Sequence, residues 1–176
     1  QAARDCWEHI AATHLQGLPI ARLVCTHMHY DHAGLAHWLC ERFGIPLYMT
    51  HGEYFMMRTL AEPVPHPLPS AQEVFYARSG MPPERTERMW KAMRADPFMP
   101  PQPQSFHRLR GGDDITLGSR TWRVVIGEGH SPEHACLYCA QDEILIAGDQ
   151  LLPRISSNVL VTSIEPEANP LQLWLE

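Results

Sequence analysis

The stretch Thr26-His27-Met28-His29-Tyr30-Asp31-His32 places four metal-ligating side chains within six residues, in the pattern H-x-H-x-D-H. So dense a cluster of imidazole and carboxylate constrains the chain on either side of it. Before it, Ile20 to Thr26 is a short run ending in apolar residues, the pattern of a buried strand. After it, Leu35, Trp38, Leu39 and Phe43 recur at helical spacing over Ala33 to Phe43, with Gly44 placed as a C-cap. Ile45 to Thr50 reads as a second strand. The cluster thus sits on a loop at the C-terminal end of a strand, where open α/β sheets bind their ligands. Asp31 has a plainer competing role as the cap of the helix that follows.

The rest of the chain supplies the support. Residues 2–15 form an amphipathic helix pattern, with Ala3, Cys6, Trp7, Ile10 and Ala11 on one face and Gly17 and Pro19 beyond its end. Helical patterns cover residues 51–61, 71–79 and 83–95, broken by the prolines at 63, 65, 67 and 69 and by a second tract from Pro97 to Pro103. We read 51–106 as a helical, Pro-rich insertion hung over one edge of a single domain spanning residues 1–176. Strand patterns follow at Asp113 to Leu117, Thr121 to Ile126, Ala135 to Cys139 and Glu143 to Ala147. Asn169-Pro170 starts a final helix.

Composition narrows the function classes. The 176 residues carry a net charge of −6, without the basic surplus of a nucleic-acid binder. No apolar run reaches the length of a membrane span. Five cysteines without a secretory signal read as reduced thiols, so the expectation is a cytoplasmic protein. Eleven histidines are many, and spacing must decide which ones matter.

Imidazole and carboxylate suit Zn²⁺, Fe or Mn²⁺. His27 and His29 can converge on one ion, while Asp31 and His32 can point at a second. His130 and Asp149 also follow strand patterns and can complete two adjacent sites, with the two oxygens of Asp149 shared between ions. Chance yields H-x-H-x-D-H in roughly two of a thousand chains of this composition, and the strand–loop–helix context argues further against a His-rich surface loop.

The segments Thr26–Gly34 (THMHYDHAG), Gly129-His130-Ser131 and Gly148-Asp149, in this order, resemble the metallo-β-lactamase superfamily. Gly148 to Ser156 (GDQLLPRIS) resembles its generic bacterial hydrolases, which are loosely akin to glyoxalase II. The resemblance implies a four-layer αββα sandwich with the metal site at one edge. It implies one metal, zinc first, on His27, His29 and His130, and a second on Asp31, His32 and a bridging Asp149. Asp31 would also orient the attacking water and take its proton. The family pattern adds a late histidine after the bridging aspartate, and strands before the first helix. Here His134 is the last histidine, so the expectation is a fragment lacking both ends.

Weaker candidates complete the reading. Arg154 can bind a substrate carboxylate. Tyr54, with Phe55, Met56 and Met57, can wall an apolar pocket or simply pack in the core. His134 can support the metal loop from behind, and His51 follows a strand end. Cys136 and Cys139 form a C-x-x-C whose side chains should face opposite sides of a strand. The function expected is a metal-dependent hydrolase acting on a small-molecule ester, thioester or lactone. The alternatives are an iron-dependent oxidoreductase, a nuclease of the same fold, or an inactive metal-binding fragment.

Overall fold

The computed structural model describes residues 1–95 and 100–176; the start of the second Pro-rich tract, Pro97 included, lies outside the described residues. The elements in chain order are α1 (Ala2–Thr13), β1 (Leu23–Val24), α2 (Tyr30–Ala33), α3 (Ala36–Phe43), β2 (Leu47–Thr50), α4 (His51–Ala61), α5 (Ser70–Arg78) and α6 (Pro83–Ala95). They continue with β3 (His107–Leu109), β4 (Asp114–Leu117), β5 (Arg120–Gly127), β6 (His134–Cys139), β7 (Ile144–Ile146) and α7 (Pro170–Leu175).

Two sheets form. In the first, β1, β2 and β3 run parallel in that order; in the second, β4 to β7 form an antiparallel meander. The expected strand at residues 20–26 shrinks to Leu23–Val24. Its neighbour β2 begins after Pro46, which has no N–H to extend the ladder, although its carbonyl still accepts from Leu23 N–H. The expected helix at 33–43 starts earlier, at Tyr30, and is interrupted at Gly34 and Leu35. Gly44 ends α3 at φ +63, the left-handed conformation that a glycine adopts without steric cost. The strand β3 had no counterpart in the sequence reading. It is three residues long and is defined by pairing with β2, where Tyr48 and His107 stack their rings.

The core has two parts. Cys25, Met28, Ala33, Ala36, Leu47, Met49, Tyr54 and Met57 pack between the first sheet and the helices α3 and α4. Leu109, Ile115, Trp122, Val124, Ala135, Leu137 and Cys139 pack between the two sheets, with Val24 and Tyr48 joining from the first. The helix α4 therefore belongs to the core layer, with Glu53, Tyr54 and Met57 buried. By contrast, α5 buries none of its residues. The ion pair of Arg42 with Glu8 ties α1 to α3. The outer face of the second sheet exposes Val125, Tyr138 and Leu145.

Layered helix–sheet–sheet packing of this kind predicts where stability resides. Met57→Ala should destabilise the fold by about 2–5 kcal/mol, because it empties a fully buried site between α4 and the first sheet. Val125→Thr, on the exposed face, should stay within about 0.5 kcal/mol. Urea unfolding checks both, and equal losses would contradict this placement of the core.

Candidate metal centre

Three chain segments converge beyond strand ends: residues 25–32 after β1, 128–133 between β5 and β6, and 147–149 after β7. A backbone bond from Ala135 N–H to the Thr26 carbonyl, 2.8 Å, docks the second sheet onto the first of these loops. The His29 carbonyl accepts from His32 and Ala33 N–H, which starts α2 and turns Asp31 and His32 away from the strand direction.

The ring of His130 fixes the chemistry. Its Nδ1 lies 2.9 Å from the Asn158 carbonyl, which can only accept, so a neutral ring carries its proton there. Nε2 is then a lone pair, facing His29 Nδ1 at 3.0 Å and His27 Nε2 at 3.3 Å. His27 Nδ1 lies 3.0 Å from the Thr26 hydroxyl. The ligand atoms of His27, His29 and His130 fall within 4.8 Å of one another, as do those of His27, His32 and Asp149. Asp149 links the two groups. Its Oδ1 is 3.3 Å from His32 Nε2, and its Oδ2 is 3.8 Å from His130 Nε2.

Burial, reinforced by the surrounding imidazoles, pushes the His27 pKa down to about 2. Burial and His130 lower that of His29. Both rings are neutral at pH 7, which is the form that binds a cation. The donor set of imidazoles and one carboxylate with split oxygens fits divalent transition-metal ions.

The other sequence candidates lie as follows. Asp31 stands at the rim, its side chain 63% exposed and its Oδ2 3.7 Å from His32 Nε2. It occupies the first turn of α2, whose N-cap position is His29, so the competing capping role is not the one it plays. Arg154 is exposed on the segment after β7. Tyr54 lies mostly inside the protein. It is a core residue whose hydroxyl donates to the Pro103 carbonyl and whose ring stacks on Phe106. Its edge borders a groove of about 500 Å³ shared with Phe55, Arg58, Gln104, Ser105 and Phe106. His51 is exposed at the start of α4, against Phe55. Cys136 and Cys139 do not converge: the first thiol lies near His134 and the Ala147 carbonyl, the second near Asp142.

Two supporting residues emerge. His134 is fully buried and stacks on His27, and its Nε2 accepts the backbone N–H of Asp149 at 3.1 Å. Its pKa falls to about 4, mainly through burial and then through His130. Glu53 is also fully buried. It accepts Met28 N–H at Oε2 and Glu133 N–H at Oε1, each at 2.8 Å. Burial raises its pKa, while the Ser131 side chain and these two N–H groups work against the rise. In sequence, Glu53 reads as an ordinary acidic residue in the first turn of a helix.

The sequence pattern of the Metallo-beta-lactamase superfamily matches residues 1–172. The chain belongs to the metallo-β-lactamase superfamily. A β-lactamase domain protein from Burkholderia ambifaria superposes with a TM-score of 0.85 at 44% identity, over 99% of this chain and 49% of its own. A metallo-β-lactamase family protein from Thermus thermophilus gives 0.76 at 28% identity, over 99% of this chain and 55% of its own. A third structure, solved in a di-iron-bound form, shares the fold at 20% identity with a TM-score of 0.54, covering 86% of this chain and 60% of its own. The chain thus spans about half the length of the two more similar proteins. Its two sheets with flanking helices are the α/β sandwich of the superfamily, a fold that binds metal ions.

The turn before Asp149 offers a test. Gly148 has φ +51, and a Cβ there would meet Cε1 and Nε2 of His134 at 2.6 Å. Gly148→Ala should cost about 1–3 kcal/mol through strain and overpacking, and should weaken metal uptake by shifting Asp149. Urea unfolding with metal titration checks this; wild-type values in both would show that the turn tolerates a side chain.

Proposed function

We propose that the protein is a metal-dependent hydrolase, with zinc as the first choice of metal, acting on a small-molecule ester, thioester or lactone. The observation that carries this reading is the convergence of His27, His29, His130, His32 and Asp149 into two donor groups linked by the split carboxylate of Asp149. Divalent ions held there would supply Lewis acidity and a water of lowered pKa. His27, His29 and His130 would hold the first ion. His32 and Asp149, with Asp31 at the rim, would hold the second.

The chain's own groups do the rest. The proton on His130 Nδ1, fixed by the Asn158 carbonyl, keeps Nε2 aimed inward. The backbone bond from Asp149 to His134 sets the position of the shared carboxylate. Asp31, exposed beside His32, would orient an attacking water and take its proton. As the water oxygen bonds to the carbonyl carbon and the C–O or C–S bond breaks, that proton passes to the departing alcohol or thiol.

The substrate reading rests on elimination. A net charge of −6 favours a small molecule over a nucleic acid. Among the described residues no helix is long and apolar enough to cross a membrane. The five unpaired thiols suit a reducing compartment, and we place the protein in the cytoplasm.

Elemental analysis of the purified protein should find about two zinc per chain. His27→Ala and Asp149→Ala should each lose metal, and with it at least about 100-fold of any ester or thioester hydrolysis. Iron in place of zinc would move the chemistry to redox. Full hydrolysis by the metal-free protein would refute the reading.

A further inference from the structure

Glu53 is the one buried carboxylate among the described residues, and it sits on a helix that supplies no metal ligand. Its two oxygens are divided between the two loops that carry the three-histidine group. Oε2 takes the N–H of Met28, the residue between His27 and His29, and Oε1 takes the N–H of Glu133, three residues after His130. Neither N–H lies within a helix or a strand. The neighbouring ties are one-sided. The Thr50 hydroxyl donates to the Glu133 carbonyl and Gly52 N–H donates to the Glu133 carboxylate, so both lace α4 to the second loop alone. Of these four ties, only the one at Glu53 Oε2 reaches the His27–His29 loop. A carboxylate accepts at both ends, whereas a carboxamide accepts at one and presents N–H to N–H at the other.

We infer that Glu53 is the positioning residue of the three-histidine site, locking the His27–His29 loop to the His130 loop at the spacing that sets affinity for a divalent cation. The inference rests on the metal-centre reading given above. It also predicts a division between the two donor groups. Asp149 is held separately, through its backbone, by His134 and Ser157, so loss of the Glu53 bridge falls first on the three histidines.

The test is a titration of the metal-stripped protein with Zn²⁺ against a chromophoric chelator, and with Co²⁺ followed by its visible bands. Thermal melting of the metal-free form runs alongside. His29→Ala marks which binding step belongs to the three-histidine site. Glu53→Gln should weaken that step by about 10–100-fold, the usual cost of losing an outer partner of the ligands, and should alter the cobalt bands, while the metal-free protein still melts cooperatively. If the Gln variant does not fold, Glu53→Asp takes its place, since its shorter arm keeps two acceptors without spanning both loops. A folded variant with wild-type zinc affinity and cobalt spectrum would reduce Glu53 to a stabilising contact and overturn the inference. Failure of the wild type to take up either ion would overturn the metal-centre reading, and the inference with it.

Discussion

Four polar side chains, His27, Thr50, Glu53 and His134, are each at most 1% exposed, and the site end of the molecule depends on how they are satisfied. A buried polar group left without a partner costs about 1–3 kcal/mol. Thr50 and Glu53 meet backbone groups of the loop between β5 and β6, and Glu53 also meets Met28. His134 meets the backbone of Asp149. His27 differs. One of its nitrogens has the Thr26 hydroxyl, and the other faces the lone pair of His130, which His29 also approaches. Where three ring nitrogens crowd one point and burial keeps His27 and His29 uncharged, a cation is the partner that uses all three lone pairs at once.

This polar layer also explains why two sheets of different kind can share one site. Helices α3 and α4 cover the first sheet, and the second packs on its other face through Val124, Ala135 and Leu137. Neither sheet alone supplies a complete donor group. The first brings His27, His29 and His32, and the second brings His130 and Asp149. The apolar contact between the sheets brings their strand ends together without fixing them at ligand precision. That last adjustment falls to directional bonds, which run from Ala135 to Thr26 and through Glu53.

The convergence of these side chains was legible because spacing and residue type travel together. H-x-H-x-D-H, a histidine after the next long strand pattern and an aspartate after the last one point to one place without knowledge of any contact. Most helices were legible for the same reason, since their periodicity is local. The two-residue extent of β1 was not, because it is set by pairing with β2, which begins only after Pro46, and β3 likewise exists through its pairing with β2. Glu53 was invisible. Next to Tyr54 and Met57 it looks like the polar edge of an amphipathic turn, and its burial depends on Glu133, 80 residues later. His134 read as a support for the metal loop, but its partner was hidden, because that partner is the backbone of Asp149.

Exposure across the candidate centre is graded, and the gradient bears on which kind of metal site these residues would make. His27 is closed off completely and the side chain of His130 is 5% exposed, whereas the side chains of His32 and Asp149 are each 29% exposed and that of Asp31 is 63% exposed. A structural site surrounds its ion with protein on all sides, while a catalytic one keeps a direction open for water and substrate. The open direction here runs over His32 and Asp149 toward Asp31. The acidic rim residue therefore lies on the path by which a water would enter, and the three-histidine group forms the protected wall behind it. With a metal bound, this arrangement would suit chemistry at the solvent-facing group better than a purely structural role. It also gives the rigid supports, Glu53 and His134, their natural place on the buried side, where they steady the ligands without blocking the approach.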